Sequence, residues 1–295
     1  MKKVTDFIFN LVHTFLLFFK IPLQSKKSKL SITKNNKSAI LLANGPALKE
    51  VLNDSELLDK LCKIDTICVN FFYKTKYFLQ LKPNNYIVSD PKFWMKNADE
   101  TFIKQRNKFY EYLAKNVNWN MTFLIPVQAK KTNDWLKILS KNSNIKIEYF
   151  NVTAIEGFKK INHFLYKFKL GMPRSHNVSS YSTMVLLFKG YKKIGLLGVN
   201  HDWTKTIFVS ENNETFLSQT HFYDSKVKPQ KMDKTIDEKN QLKLHEMLFT
   251  FHLIFKSYFE INDYAKSINS KVYNLTKGSF IDAFERKSLI NFLKL

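Results

Sequence analysis

Short apolar runs that end in a polar residue or a glycine recur along this chain, and they limit its fold more than any other feature of the sequence. The first run, AILLA at residues 39–43, is followed by Asn44-Gly45-Pro46 and by an amphipathic stretch at residues 48–61. A buried strand, a tight glycine turn and a helix are typical of the opening of a nucleotide-binding α/β unit. Similar apolar runs lie at residues 66–70, 85–91, 121–126, 145–150, 193–199 and 271–275.

Stretches with apolar residues at helical spacing lie between these runs. The clearest are residues 179–189, 237–267 and 280–293. Strands that alternate with helices predict an α/β fold, with a mostly parallel sheet covered by helices on both faces, of the Rossmann-like kind. Ligands of such sheets bind beyond the carboxyl ends of the strands, so polar residues at those ends are the first candidates for a site.

The composition is compatible with one large α/β domain that carries a small lid. The chain has 295 residues, and 44% of them are hydrophobic, which is enough to bury a sizeable core. Glycine and proline, seven each, are too scarce for a low-complexity chain. The two cysteines, Cys62 and Cys68, are six residues apart, a spacing that provides neither a disulfide framework nor a zinc site.

The formal net charge of +22 favours a polyanionic partner: nucleic acid, an anionic membrane surface or a phosphorylated substrate. The sequence has no zinc-finger spacing, RNP-like motif or helix-turn-helix signature, so we expect no nucleic-acid partner. An anionic membrane surface fits better, because a local basic cluster follows an apolar segment. The cluster consists of Lys26, Lys27, Lys29, Lys34 and Lys37.

The apolar segment is residues 7–19, FIFNLVHTFLLFF. No small-residue cleavage pattern of a signal peptide follows it. A membrane-spanning helix needs about 20 apolar residues, and this run is shorter and contains Asn10 and His13. We expect a helix that lies in the membrane interface or packs on the domain.

The predicted organisation is therefore a membrane-surface helix at residues 1–24, a basic linker at 25–37 and a catalytic domain at 38–295, with a lid at about 201–236. The long polar and aromatic loop that begins near residue 200 is typical of a lid that closes over bound substrates. The expected location is cytoplasmic, peripheral on the inner face of the cell membrane.

Polar residues follow four of the predicted strands. They are Asn44-Gly45-Pro46, Asn70, Ser89-Asp90-Pro91 and Gly198-Val199-Asn200-His201-Asp202. Each alone is an ordinary turn sequence, but the four together favour a binding cleft. Gly45 would let a ligand approach the backbone, and the helix after it would offer its amides to a phosphate. Neither a Walker loop nor the three-glycine dinucleotide fingerprint is present.

Several of these segments resemble motifs of the bacterial sialyltransferases of glycosyltransferase family 42, over about residues 38–285. The matching segments are LLANGPALK at 41–49, VNFFY at 69–73, SDP at 89–91, SSYSTM at 179–184, GYKKIGLLGVN at 190–200 and SKVYNL at 270–275. The resemblance implies a GT-A-variant fold. It also implies a donor in which CMP activates a sialic-acid-like sugar, inversion at the anomeric carbon, and no metal or other cofactor.

The resemblance also implies roles for particular residues. Asn44, Gly45 and Pro46 would lie near the donor phosphate and ribose, with Asn70 in the same donor site. Ser179 or Ser180 would contact the sugar carboxylate. Asp90, Gly198 and Asn200 complete the set of expected donor-binding residues. The family tends to have asparagine at the position of Asp90. Gly198 and Asn200 would belong to the loop that faces the cytosine, and the family has aspartate at the position of Asn200.

An inverting transfer needs a base for the acceptor hydroxyl, and histidine suits neutral pH. His221 precedes the last long helix, where the family places its base, and the neighbouring Tyr223 could donate a proton to the leaving phosphate. His201 is the alternative base, because a carboxylate, Asp202, follows it directly. Both histidines stay open at this point.

The sequence contains no Asp-x-Asp, the spacing with which many glycosyltransferases hold a metal ion against a diphosphate. Its absence fits a nucleoside-monophosphate donor. The function that the resemblance implies is an inverting, metal-independent transferase that moves a sialic-acid-like sugar from CMP to a glycan or glycolipid of the bacterial surface, such as lipopolysaccharide or capsule. The alternatives are a transferase for another nucleotide sugar, a Mg²⁺-dependent pyrophosphokinase and a non-catalytic membrane-docked binding protein. The pyrophosphokinase alternative rests on a similar Gly-Pro turn in the 6-hydroxymethylpterin diphosphokinase-like family.

Overall fold

The largest element of the computed structural model is an eight-stranded, entirely parallel sheet, which confirms the predicted α/β, Rossmann-like fold. The structure describes residues 2–33, 37–218, 221–223, 229–231 and 241–294. In chain order, the strands of this sheet are β1 (Ser38–Leu42), β2 (Asp65–Val69), β3 (Asn85–Ile87), β4 (Met121–Pro126), β5 (Ile145–Phe150), β6 (Lys193–Leu197), β10 (Lys271–Asn274) and β11 (Glu285–Arg286).

Helices cover both faces of the sheet. They are α1 (Lys2–Gln24), α2 (Leu48–Asn53), α3 (Ser55–Leu61), α4 (Tyr77–Leu81), α5 (Glu100–Asn116), α6 (Asp134–Leu139), α7 (Lys159–Lys167), α8 (Val178–Phe188), α9 (Leu244–Ser267) and α10 (Leu289–Leu293). Alternate side chains of β1 point to opposite faces of the sheet. Ala39 and Leu41 pack with α8 and α9, whereas Ile40 and Leu42 pack with α2 to α6. Because strands such as β1 are buried on both faces, their sequences are continuous apolar runs.

The order of the strands is β11-β10-β6-β1-β2-β3-β4-β5. The chain first builds the sheet outward from β1 to β5, then returns through α7 and α8 and places β6 on the other side of β1. From there it continues in the opposite direction to β10. The loops that follow β1 and β6 therefore diverge, which makes this pair the topological switch point of the sheet.

Three strands of the predicted lid region form a separate antiparallel sheet: β7 (Ile207–Val209), β8 (Thr215–Leu217) and β9 (Gln230–Lys231). Residues 219–220, 224–228 and 232–240 of the same region lie outside the described residues. Of the predicted helix at 237–267, residues 237–240 lie outside the described residues and residues 241–243 are not helical. The helix begins at Leu244, where the amide of Lys243 donates to the carboxylate of Glu246 (2.8 Å).

Two predicted helices differ from the structure. The stretch at 48–61 is two helices, because the side chain of Asp54 accepts a hydrogen bond from the amide of Leu57 (3.1 Å) and begins α3. The stretch at 280–293 is helical only in α10; before it, β11 pairs with β10, and Nδ2 of Asn274 donates to the carbonyl of Ile281 (2.9 Å). Both differences come from side-chain hydrogen bonds that apolar periodicity does not report.

Residues 25–33, predicted as part of a polar linker, lie along β5 and the residues after it. The amide of Lys26 donates to Oδ1 of Asn151 (2.9 Å), and Oγ of Ser28 donates to the carbonyl of Tyr149 (2.6 Å). At its end, the amide of Thr33 donates to the carbonyl of Lys189 at the end of α8 (2.8 Å). This segment therefore joins α1 firmly to the domain.

Candidate active site

A cavity of about 150 Å³ opens at the switch point, between the loops that follow β1, β2 and β6. The carboxyl ends of these strands meet here because the three strands are adjacent and parallel. Nine of the twelve predicted site residues line the cavity: Asn44, Gly45, Pro46, Asn70, Ser179, Gly198, Asn200, His201 and His221. The other three, Asp90, Ser180 and Tyr223, do not belong to its lining.

Two amide oxygens in the lining lack a protein partner. Asn44 is 6% exposed, and its Nδ2 donates to the carbonyl of Val69 (3.4 Å). Asn70 adopts a left-handed conformation (φ 50°) directly after β2. Within the described part of the chain, no group donates a hydrogen bond to the buried Oδ1 of either residue. A buried acceptor without a donor costs about 1–3 kcal/mol, so both oxygens are suited to a ligand that brings O–H or N–H groups.

Glycine is required at position 45 because the loop after β1 packs there against the loop after β6. A Cβ at this position would lie 2.2 Å from Oδ1 of Asn200 and 2.4 Å from the carbonyl oxygen of Gly198. The same Oδ1 accepts a hydrogen bond from the amide of Ala47 (3.4 Å), while the amide of Leu48 donates to the carbonyl of Gly45 (3.1 Å). The amides after Gly45 are thus engaged within the protein, which differs from the predicted phosphate contact at this turn.

The first turn of α8 supplies amides to the cavity instead. Asn177 caps this 11-residue helix by accepting from the amide of Ser179 (2.8 Å), and Asn177, Val178 and Ser179 all line the cavity. A helix N-terminus carries partial positive charge and attracts carboxylates and phosphates. Ser180 points away: it is 1% exposed, and its Oγ lies 3.1 Å from Oγ of Ser257 in α9. Of the two serines, Ser179 is therefore the one that can contact a ligand.

His201 is buried at the back of the cavity in a left-handed conformation (φ 50°). Its Nε2 lies 2.7 Å from the hydroxyl oxygen of Tyr258, and its ring stacks on Trp203 at a centroid distance of 4.1 Å. Asp202 pairs with Lys205 (3.7 Å), so the partner of the imidazole is a tyrosine and not the predicted carboxylate. Burial lowers the pKa of His201 to about 3, which keeps the ring neutral and makes it a weak base.

This low pKa predicts a loss of stability in mild acid. Below about pH 6.5 the unfolded chain binds a proton at His201 that the folded protein binds only near pH 3, so the free energy of unfolding should fall as the pH drops through this window. His201→Gln removes this titration and should show a shallower decline in urea denaturation measured at a series of pH values. His245→Gln, at an exposed position of α9, is the control. Parallel declines of the wild type and His201→Gln would contradict the assignment.

His221 lines the cavity, and the next residue ties it to the end of β1: the amide of Phe222 donates to the carbonyl of Asn44 (2.9 Å). Phe222 is buried, and its ring packs against that of Phe72 with ring centroids 5.8 Å apart. Tyr223 stacks on His221, with ring centroids 5.2 Å apart and an interplanar angle of 2°. Tyr223 thus contacts the histidine without lining the cavity itself, and its role as a proton donor stays a prediction.

Asp90 lies outside the cavity for a local reason. Its exposed side chain accepts a hydrogen bond from the amide of Lys92 (2.8 Å) and caps the short helical turn at Pro91–Phe93. Among the described residues that line the cavity, Asp202 is the only one with a carboxylate. Within the described ranges, no group of three or more histidine, cysteine, aspartate or glutamate side chains is arranged to hold a metal ion.

Nine lining residues were not among the predicted site residues, and four of these carry polar or aromatic side chains that the sequence analysis did not name: Asn177, Trp203, Thr206 and Ser218. Asn177 could have been found, because an asparagine directly before an apolar helical run is a helix-start signal. Thr206 and Ser218 carry no such signal. They come together because the carbonyl of Ser218 accepts from Oγ1 of Thr206 (2.7 Å) beside the strand pair β7 and β8.

No protein-family profile matches the chain, and no curated protein matches it either. Among solved structures, the chain is similar to the MAf glycosyltransferase from Magnetospirillum magneticum AMB-1, with 10% sequence identity and a TM-score of 0.48. The similarity covers 90% of this chain but only 35% of that structure, so the chain spans about a third of the length of the protein it matches.

Proposed function

We propose that the protein is an inverting glycosyltransferase that moves a sialic-acid-like sugar from a CMP donor to a glycan or glycolipid of the bacterial surface, without a metal ion. The observation that carries the proposal is the cavity at the switch point, in which one helix N-terminus, two unpartnered amide oxygens and a histidine lie together. Anion recognition, hydroxyl recognition and proton transfer are the three functions that such a transfer needs from a protein.

The first turn of α8 is the proposed anion site. A sialic-acid-like sugar carries a carboxylate next to its anomeric carbon, and CMP adds one phosphate. Ser179 and the amides beside it can hold the carboxylate through charge-assisted hydrogen bonds. Oδ1 of Asn44 and Oδ1 of Asn70 would accept from hydroxyl or amino groups of the donor, which would satisfy both buried oxygens.

His221 is the proposed base. In the transfer, the acceptor hydroxyl attacks the anomeric carbon on the face opposite the phosphate, the bond from that carbon to the phosphate oxygen breaks, and CMP leaves with the electron pair. His221 takes the proton of the attacking hydroxyl. His201, neutral and held by Tyr258, would keep the floor of the cavity in place without taking part in proton transfer.

The cavity of about 150 Å³ is smaller than the roughly 300–1,000 Å³ of typical ligand sites. The residues around it therefore have to move apart to accept a complete nucleotide sugar. Trp203 and His221 belong to loops beyond the sheet, whereas Asn44 and Asn70 directly follow its central strands. We expect the outward movement on the side of the two loops.

The test is calorimetric binding of CMP, UDP, GDP and ATP, each with and without Mg²⁺. We expect selective binding of CMP that does not depend on Mg²⁺, and about a tenfold weaker affinity in Asn44→Ala, since a lost hydrogen bond of about 1.4 kcal/mol corresponds to that factor. Asp90→Ala, which changes a residue outside the cavity, should bind CMP like the wild type. Metal-dependent binding of a diphosphate or triphosphate would overturn the CMP assignment and favour another nucleotide sugar or pyrophosphoryl transfer.

A further inference from the structure

The helix α1 packs on the domain with its more polar side. Its half-buried and buried residues all lie on one face and recur every three or four positions: Asn10, His13, Thr14, Leu17, Lys20 and Ile21. Four of these six side chains are polar. In water, a helix at the surface of a domain turns its apolar stripe inward and its polar side outward.

The contacts on this inner side are specific. Oγ1 of Thr14 accepts a hydrogen bond from the amide of Phe158 (3.0 Å), and a Cβ at Gly157 would lie only 2.3 Å from that oxygen. Nδ1 of His13 lies 3.9 Å from a carboxylate oxygen of the buried Glu156, and Leu17 is 4% exposed in the core. The helix is therefore seated on the domain over residues 10–21 and is not a detached extension.

The outer side of α1 is almost entirely apolar. Phe18 is 74% exposed and Leu23 is 77% exposed. Nine further apolar side chains of α1 are 44–61% exposed: Val4, Phe7, Ile8, Phe9, Leu11, Val12, Phe15, Leu16 and Phe19. This arrangement is the reverse of an amphipathic helix in water, and it matches a helix whose outer surroundings are hydrocarbon.

The neighbouring helix α7 continues this exposed apolar face. Phe158, directly before α7, contacts Phe7 with ring centroids 5.5 Å apart. Along α7 and just after it, Ile161, Phe164 and Phe168 are 40%, 59% and 56% exposed. Their spacing of three and four residues places them on one side of the helix. We call the outer side of α1 together with these three residues the apolar platform.

Positive charge surrounds the apolar platform. Residues 2–33 contain six lysines (Lys2, Lys3, Lys20, Lys26, Lys27 and Lys29) and one acidic residue, Asp6. On α7, Lys160 and Lys167 are exposed beside Ile161 and Phe168. A second copy of the chain would match the apolar side chains but would bring like charges together. An anionic lipid bilayer satisfies the apolar and the basic groups at once.

We propose that the apolar platform docks the protein on an anionic bilayer, with α1 lying in the plane of the interface between the lipid and the domain. Within the described residues, α1 is the helix long and apolar enough to cross a membrane. Crossing would break the contacts of Thr14 and Leu17 and would place Asn10 and His13 in hydrocarbon, whereas the in-plane position keeps those contacts. The docking does not depend on the proposed transferase activity.

The experiment is co-sedimentation of the full chain with vesicles of phosphatidylcholine, with and without 30% phosphatidylglycerol. We expect binding to the mixed vesicles that weakens at high salt, and about a tenfold or larger loss of binding in Phe164→Ser/Phe168→Ser. Leu79→Ser removes a 40% exposed apolar side chain on α4, away from the apolar platform, and should bind like the wild type. Because all of these side chains are exposed, thermal melting should show that each variant folds.

Three outcomes would overturn the proposal. Unchanged binding of Phe164→Ser/Phe168→Ser would remove α7 from the docking surface. Resistance of the membrane-bound protein to extraction with alkaline carbonate would indicate a spanning α1. Equal or absent binding to both kinds of vesicle, together with a dimer in sedimentation equilibrium that Phe164→Ser/Phe168→Ser dissociates, would make the platform an interface between two copies of the chain.

Discussion

His221→Ala should lower kcat for sugar transfer by about 100- to 10,000-fold and leave the affinity for CMP within about threefold of the wild type. The imidazole lines the cavity next to the donor-binding residues, but the proposed contacts to CMP come from Asn44, Asn70 and Ser179. Its removal would therefore affect the transition state, in which the acceptor proton moves, more than the bound donor. Steady-state kinetics with saturating donor and calorimetric CMP binding measure the two effects separately.

Two variants serve as controls for this result. Tyr223→Phe keeps the ring that stacks on His221 and removes only the hydroxyl, so its kcat should stay within about threefold of the wild type if that hydroxyl does not protonate the leaving phosphate. His201→Gln keeps a group that can pair with Tyr258, and it should retain far more activity than His221→Ala. A larger loss of kcat in His201→Gln than in His221→Ala would exchange the roles of the two histidines.

Lys189→Met should lower the free energy of unfolding by about 3–5 kcal/mol. The side chains of Lys189 and Glu148 are 3% and 2% exposed, and Nζ lies 3.1 Å from a carboxylate oxygen. The same ammonium group donates to Oγ of Ser31 (2.8 Å), and the amide of Ser31 donates to both carboxylate oxygens (3.1 Å each). Removal of the lysine leaves the carboxylate without its buried counter-charge and loosens the segment that follows α1 and lies along β5.

Lys146→Met is the matched control, because Lys146 pairs with the same carboxylate at 2.9 Å but is 66% exposed. An exposed ion pair contributes at most about 1 kcal/mol, so this variant should stay within that range. The double variant Lys189→Met/Glu148→Leu should regain much of the loss, since two apolar groups can replace a buried ion pair. Urea denaturation measures all three, and equal losses in Lys146→Met and Lys189→Met would refute the importance of burial.

The buried pair also predicts acid sensitivity that begins near pH 4.5, the ordinary pKa of a glutamate, and so overlaps the lower part of the window assigned to His201. Burial raises the pKa of Glu148, but hydrogen bonds from Lys146, Ser31 and Lys189 and the charge of Lys189 more than offset this, and the net pKa is lowered. A carboxyl with a lowered folded pKa stabilises the protein above its unfolded pKa and loses that contribution as the pH falls through the folded value. Glu148→Gln should abolish this part of the pH dependence.

The sequence predicted the sheet from local patterns. Each buried strand shows as a short apolar run because both of its faces are covered, and the residue that ends the run is polar because the strand leaves the core there. The positions of Asn44, Asn70 and Asn200 directly after such runs therefore identify them as strand-end residues. Where a side chain changes the local path, as Asp54 does between α2 and α3, the apolar pattern alone indicated one helix instead of two.

Only the tertiary structure decided which strand ends meet. The return of the chain from β5 to the far side of β1 brings Asn200 and Gly198 against Gly45, while β3 is two strands away from β1 and leaves Asp90 outside the cavity. The partner of His201, the inward turn of Ser179 and the exposed side of α7 likewise depend on contacts between residues far apart in the chain. Apolar periodicity is a short-range property, set by the geometry of each helix or strand, so it determined the elements and their buried faces. The site depends on crossovers and long-range packing, which the periodicity of single elements does not encode.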